Sequence, residues 1–295
     1  MQDPNSDSVT KYYDANTRRF LAAGDTGQAV AIHRKLWAPG IETPEAAAAH
    51  VNDLVAQAAL DKLAHEPSSV TDLGCGVGGS LFHLASCWPH SRLTGYTLSS
   101  AQVQIAQALA AKRHLQDRCE IRQGDFTALS EPSRSEMVIA IESHTHLPSL
   151  SAFFKAAVQH VLPGGLVILV DDMLARDKST LTGRDLALLD AFKRGWRMGH
   201  VPTVDEVLEG ASAYRFEVVC HRNLGELLRL NQPWDRFLSW VAPPLDWLGL
   251  ARVPMFANLI GGNALTQCHR RGLMRYVMVV MRMRDDFTGQ APGVP

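Results

Sequence analysis

Val70-Thr71-Asp72-Leu73-Gly74-Cys75-Gly76-Val77-Gly78-Gly79 runs from a short apolar segment through four glycines toward a helix beginning near Ser80. Glycine at the end of a strand removes the side chain that would block a ligand from the backbone, and it tolerates the left-handed turns such a loop needs. Gly74, Gly76 and Gly79 satisfy the spacing GxGxxG, which alone is a weak signature of nucleotide binding. Strand, glycine turn and helix form the first half of a βαβ unit.

The same alternation extends along the chain. Strands are expected at 69–73, 92–97, 118–122, 136–141, 166–170, 216–221 and 274–283, and helices at 43–63, 99–115, 149–161, 181–196 and 203–212. Thr43-Pro44-Glu45 reads as a helix start, with a capping hydroxyl, proline at the first position and an acid in the first turn. The apolar run 166–170 following Pro163-Gly164-Gly165 reads as a strand buried on both faces. Alternating strands and helices specify an α/β fold with a mostly parallel sheet covered on both sides. We expect one domain over 1–295: an N-terminal helical cap at 1–65, a binding core at 66–172, a lid with insertions at 173–270, and a last strand at 271–284.

Composition narrows the function. Twenty-nine Lys and Arg against thirty Asp and Glu, scattered along the chain, give no basic stripe able to neutralise several phosphates, which argues against nucleic acid as a partner. Five cysteines without a CxxC pair argue against a disulfide framework or a zinc site, so no metal ligands are assigned. The apolar stretch 237–265 is broken by Pro243, Pro244, Asp246, Arg252 and Pro254, short of the ~18 to 20 residues a spanning helix needs. The polar, acidic start does not read as a signal peptide, and a cytoplasmic protein with a small-molecule partner is expected. Association into a homo-oligomer is compatible with the sequence.

A nicotinamide-binding reading would want an acid at the end of the second strand, where Gly95-Tyr96-Thr97-Leu98-Ser99 has none. The glycine segment instead resembles the first motif of class I S-adenosylmethionine-dependent methyltransferases. Thr94-Gly95-Tyr96-Thr97-Leu98-Ser99-Ser100-Ala101-Gln102 resembles the GxTLSxxQ stretch of the branch holding sterol and tocopherol methyltransferases, cyclopropane fatty-acid synthases and prenyl diphosphate C-methyltransferases. Asp125-Phe126 resembles the adenine-contacting pair, and the Leu162-Pro163-Gly164-Gly165 turn resembles the approach to the fifth strand. These four matches, in order, cover about 69–172. The resemblance implies the Rossmann-like class I methyltransferase fold, with seven strands and a helical lid, and S-adenosyl-L-methionine as cofactor.

The resemblance also assigns roles. Tyr12, Asp72, Gly74, Gly76, Thr97, Leu98, Gln102, Asp125 and Phe126 would hold the cofactor: Asp72 its ammonium, Gln102 the ribose in place of the usual acid, Asp125 the adenine amine, and Phe126 the ring. Glu142 stands at the end of the fourth strand, the edge where α/β sheets bind ligands. It resembles the Glu of prenyl diphosphate and sterol methyltransferases, which implies that it stabilises or deprotonates a carbocation. Tyr13 belongs to Tyr12-Tyr13-Asp14, which resembles the opening of the same branch, and would offer a cation–π face. His144 is grouped with the catalytic residues. Arg34, His146 and Trp196 are assigned to the substrate, Arg34 because positive charge near the lid suits a diphosphate or carboxylate.

C-methylation of an isoprenoid, with a prenyl diphosphate among the acceptors, is the leading expectation, and Mg²⁺ would accompany a diphosphate. Three alternatives stay open: O- or N-methylation of a natural-product or quinone-like acceptor, cyclopropanation, and an inactive binding subunit.

Overall fold

A computed structural model describes residues 30, 33–250 and 253–285. Tyr12 and Tyr13 lie outside the described residues. Helix α1 spans Pro44–Leu63 and starts as its sequence dictates, the Thr43 hydroxyl accepting from the Ala46 N–H. Strand β1 (Ser69–Leu73) leads to α2 (Gly79–Cys87), β2 (Arg92–Thr97), α3 (Ser100–Lys112), β3 (Cys119–Gln123) and β4 (Ser135–Ile141). Then follow α4 (Leu150–His160), β5 (Val161–Leu174), α5 (Gly183–Trp196), α6 (Val204–Ala213), β6 (Phe216–Asn223), α7 (Pro233–Trp247), α8 (Pro254–Arg270) and β7 (Met274–Met283).

The seven strands form one sheet in the order β3-β2-β1-β4-β5-β7-β6. The first five pair in parallel, and β7 runs antiparallel between β5 and β6. Strand order reverses between β1 and β4, which opens a crevice beyond their C-terminal ends, where such sheets bind ligands.

Side chains alternate across β5 and divide two cores. Leu166, Ile168 and Val170 face a cluster with Val51, Leu81, Met137, Ile139 and Tyr276. Val167, Leu169 and Met173 face one with Phe153, Phe154, Val207 and Phe216. A period of two therefore sends Asp171 and Asp172, adjacent in sequence, to opposite faces of the sheet.

The expected lid at 173–270 is not one block. Its middle joins the main body: α6 packs Val207 and Ala211 into the second core and β6 forms the sheet edge. Among the described residues α5, α7 and α8 supply most of a third cluster, around Phe192, Ala242, Ile260 and Leu265, which also takes in Leu174 and Met274 from the ends of β5 and β7. Periodicity identifies these elements one at a time but carries no record of which core each joins. Strand β5 is also longer than expected, because its pairing with β7 runs on to Leu174. Prolines 243 and 244 are accommodated inside α7. No helix among the described residues is long and apolar enough to cross a membrane.

Candidate active site

Beyond the C-terminal end of β1 the glycine turn adopts left-handed backbone at Gly74 (φ +96°), Gly76 (φ +55°) and Gly78 (φ +84°). At Gly74 a second constraint applies: a Cβ there would lie 2.5 Å from the Ser143 Cβ. Ser143 in turn donates to the Leu73 carbonyl at 2.5 Å, so the ends of β1 and β4 are pinned together. Glycine at this position thus serves close approach of two strand ends as well as ligand access.

Asp72 is 3% exposed. Burial pushes its carboxyl from an ordinary 3.8 up to about 7. At the end of β2, Thr97 donates to Gln102 Oε1 at 2.6 Å, and both residues are buried. The Ser99 hydroxyl caps α3 by accepting from the Gln102 N–H. Leu98 presents its carbonyl to Gln123 Nε2. Asp125, half-buried after β3, accepts from the Thr127 N–H and hydroxyl, both on Oδ1. Three successive strands in the sheet therefore lead to one polar group each: the Asp72 carboxyl on β1, the Gln102 carboxamide in the first turn of α3 after β2, and the Asp125 carboxyl after β3. These groups fit an ammonium, a ribose and an aromatic amine in a row, the two carboxylates accepting from the nitrogens. A cationic group beside Asp72 would also restore its charged form. Phe126 differs from expectation, because its ring is enclosed in the second core with Leu73 and Tyr96, leaving little face for an adenine.

Glu142 follows β4 in a left-handed conformation (φ +51°), unusual for a residue with a Cβ and costing on the order of 1 to 3 kcal/mol. The turn is held by the Glu142 N–H donating to the Val170 carbonyl. Its side-chain Oε1 accepts from the Arg34 N–H at 2.8 Å and from the Tyr276 hydroxyl at 2.8 Å. Burial raises the carboxyl to about 7; Arg34 works against this, and the charges of Asp172 and Asp171 add to it.

Asp172, on the same sheet face and in register with Tyr276, accepts from Arg34 Nε at 3.0 Å and approaches His269 Nε2 at 2.6 Å. The Arg34 guanidinium also sits 5.7 Å over the Tyr276 ring. Burial lowers the proton affinity of Arg34, but Asp172 and Glu142 outweigh it and hold the group above the ordinary arginine range. Arg34, expected to meet the substrate, is engaged through its Nε with Asp172.

His144 and Trp196 sit in packed surroundings. His144 is fully buried on the opposite face, its Nδ1 2.7 Å from Asp171 and its ring edge-on to Phe153 and His200. A group so enclosed reaches no acceptor. Trp196 packs on Phe192 and donates to the Asn258 carbonyl, and a Cβ at Gly261 would lie 2.3 Å from its Cδ1. It wedges α5 against α8. His146, partly buried, has its Nδ1 3.4 Å from the Arg197 carbonyl, and burial lowers its pKa.

Sequence reasoning missed Asp172, His269 and Tyr276. The strand-end rule that selects Glu142 also selects Asp172, at the end of β5. His269 and Tyr276 carry no local signal, since they reach the site only through α8 and the antiparallel β7.

The family described as methyltransferase domain matches residues 70–165. These residues form an S-adenosylmethionine-dependent methyltransferase domain. Over 264 residues the chain is 28% identical to a sterol 24-C-methyltransferase of Neurospora crassa, covering 85% of this chain and 67% of that protein. It is 30% identical over 145 residues to the polyketide synthase ThaQ of Burkholderia thailandensis, covering 48% of this chain but only 7% of the synthase. Among solved structures, a geranyl diphosphate methyltransferase in complex with its diphosphate and sinefungin superimposes with a TM-score of 0.71 at 17% identity, over 95% of this chain and 99% of the other. At that identity the methyltransferase likeness is one of fold.

Proposed function

We propose that the chain transfers a methyl group from S-adenosylmethionine to an alkene carbon of a small, largely apolar isoprenoid, with Glu142 as the base that ends the reaction. The observation that carries this is Glu142 itself: a strained, partly buried carboxylate at the ligand-binding edge, beside the glycine turn, with a proton affinity matched to neutral pH. Asp72, Gly74, Gly76, Leu98, Gln102 and Asp125 would hold the cofactor, which supplies a methyl group already activated as a sulfonium.

An alkene needs no deprotonation before it attacks, so the demands on the protein come afterwards. Positioning brings the acceptor carbon into line. The cation left on the acceptor must be kept from water and must lose a proton from a neighbouring carbon. Glu142, substantially ionised near pH 7, accepts that proton, and the electron pair of the broken C–H bond closes the new double bond. Tyr276 and the Arg34 N–H hold Oε1 still while this happens.

Two named similarities support the acceptor class: one relative methylates a sterol carbon by name, and one structural neighbour is a geranyl diphosphate methyltransferase. Because Asp172 already engages Arg34, an acceptor without a diphosphate suits this corner better. A prenyl diphosphate would bring Mg²⁺ to screen it from the two carboxylates.

The test is to supply S-adenosylmethionine carrying a CD₃ group, with neutral prenyl alcohols and hydrocarbons, geranyl diphosphate plus Mg²⁺, phenols and amines, and to locate the label by NMR. A C–CD₃ product from an isoprenoid is expected. Label solely on oxygen or nitrogen would overturn the reading.

A further inference from the structure

The mechanism uses Glu142 and leaves unexplained an ionised carboxylate on the neighbouring strand. Asp172 has a side-chain exposure of 3%, yet Arg34 on one side and His269 on the other each take one of its oxygens. Burial would raise its pKa, but Arg34 and His269 outweigh burial and hold the carboxyl below the ordinary aspartate range. Its two partners come from distant parts of the chain. Arg34 lies in the segment before α1, and its own backbone N–H is one of the two donors to Glu142 Oε1. His269 is in the last turn of α8, a helix that packs on α5 and α7. Tyr276, the other donor to Glu142, stands directly opposite Asp172 in the β5–β7 ladder.

These contacts close a loop. Asp172 fixes the Arg34 side chain and Tyr276 stacks under its guanidinium. The Arg34 main chain and the Tyr276 hydroxyl then fix Glu142. We propose that Asp172 is a positioning residue of the methyl-transfer site, which holds Glu142 in place through Arg34 and, through His269, makes that placement depend on helix α8 being seated against the sheet.

The chemistry favours an ionised aspartate here. A neutral asparagine keeps one acceptor for Arg34 but gives up the charge-assisted character of both bonds, which are about twice as strong as neutral ones. It also removes a negative charge that faces Glu142. The groups acting on Glu142 are Arg34 from the segment before α1, Asp171 and Asp172 from β5, and Tyr276 from β7. With Arg34 still present and Asp172 neutralised, the balance at Glu142 tips toward the ionised form.

The proposal rests on the reading of Glu142 as the base, so the experiment needs a readout that does not depend on turnover. In the 295-residue chain, the C=O stretch of protonated Glu142 is followed by infrared difference spectroscopy against pH, assigned by its absence in Glu142→Gln. Asp172→Asn is expected to lower the titration midpoint by about half a pH unit or more, and to lower kcat ~10-fold with KM and S-adenosylhomocysteine affinity within about two-fold. His269→Leu is expected to lower kcat comparably, and His269→Gln, which keeps a donor, to restore most of it.

An unmoved Glu142 midpoint in folded Asp172→Asn would overturn the proposal, as would unchanged kcat in folded His269→Leu. If Asp172→Asn does not fold, the His269 pair decides. Should the wild-type chain methylate no isoprenoid while His269→Leu, which keeps the carboxylate of Asp172, still moves the Glu142 midpoint, the functional reading fails and the positioning role stands.

Discussion

The Tyr276 hydroxyl donates to Glu142 Oε1 across 2.8 Å, joining residues 134 positions apart in the chain. The bond brings the antiparallel end of the sheet to bear on the parallel end. Burial lifts the Tyr276 phenol well above its ordinary range, so it remains a donor through the neutral region.

The pH dependence of turnover follows from Glu142. A base must be ionised to act, and this carboxyl is pushed up to about 7. kcat is expected to rise with pH along an acid limb centred near that value. Replacing Tyr276 by Phe removes a donor to the ionised form and should move the limb to higher pH, which a kcat-against-pH profile reads directly.

Asp72 makes a prediction about stability with a definite sign. Its folded-state pKa, about 7, lies above the ordinary 3.8, so the folded chain keeps a proton that the unfolded chain has released. The contribution of Asp72 to stability in the cofactor-free protein is fully present below about pH 4 and is lost as pH rises to about 7. Asp72→Asn removes this loss, on the order of 4 kcal/mol at pH 8 and vanishing near pH 4. Urea unfolding at the two pH values checks the difference. The same variant should bind S-adenosylhomocysteine ~10-fold or more weakly, since a charged partner for the ammonium is gone.

Gly74 is held by its neighbour and by its backbone. Gly74→Ala places a Cβ against Ser143 at φ +96°, and a loss of about 1 to 3 kcal/mol is expected. Adding Ser143→Gly should recover part of the loss but not all of it, because the left-handed backbone remains. Thermal melts of the single and double variants separate the two contributions.

His144 distinguishes a buried pair from a catalytic one. His144→Leu removes one of the contacts to buried Asp171, which keeps the Asp172 N–H and the Thr145 hydroxyl as donors, and a cost of ~1 to 3 kcal/mol is expected. Turnover per folded molecule should fall far less than on replacing Glu142. Equal losses at fixed folded fraction would return His144 to the reaction.

Much of this fold is legible in the sequence, and the reasons are local. The glycines after β1, the Thr43, Ser99 and Thr203 caps and the apolar run of β5 each announce themselves within a few residues. Glu142 is legible because a parallel strand ends there. What escapes is whatever depends on the far side of the sheet. Tyr276 reads as one of several apolar positions in β7, and only the antiparallel register sets it opposite Asp172. Trp196 and His144 invite functional readings as a tryptophan in a lid and a histidine near a strand end. Their burial is set by Gly261 and Phe153, residues on other helices that no spacing rule connects to them. Arg34 looks like a free cation until Asp172 is known to lie 3.0 Å away.

The central claim is that Glu142 takes the proton that ends methyl transfer to an alkene. It is tested most directly by comparing Glu142→Gln with the wild-type chain, measuring labelled methyl transfer to the isoprenoid acceptor together with calorimetric binding of S-adenosylhomocysteine. The account predicts a loss of kcat of about 10² or more with nucleoside binding unchanged. A Glu142→Gln protein that binds the nucleoside normally and still forms the C-methylated product at a wild-type rate would contradict it.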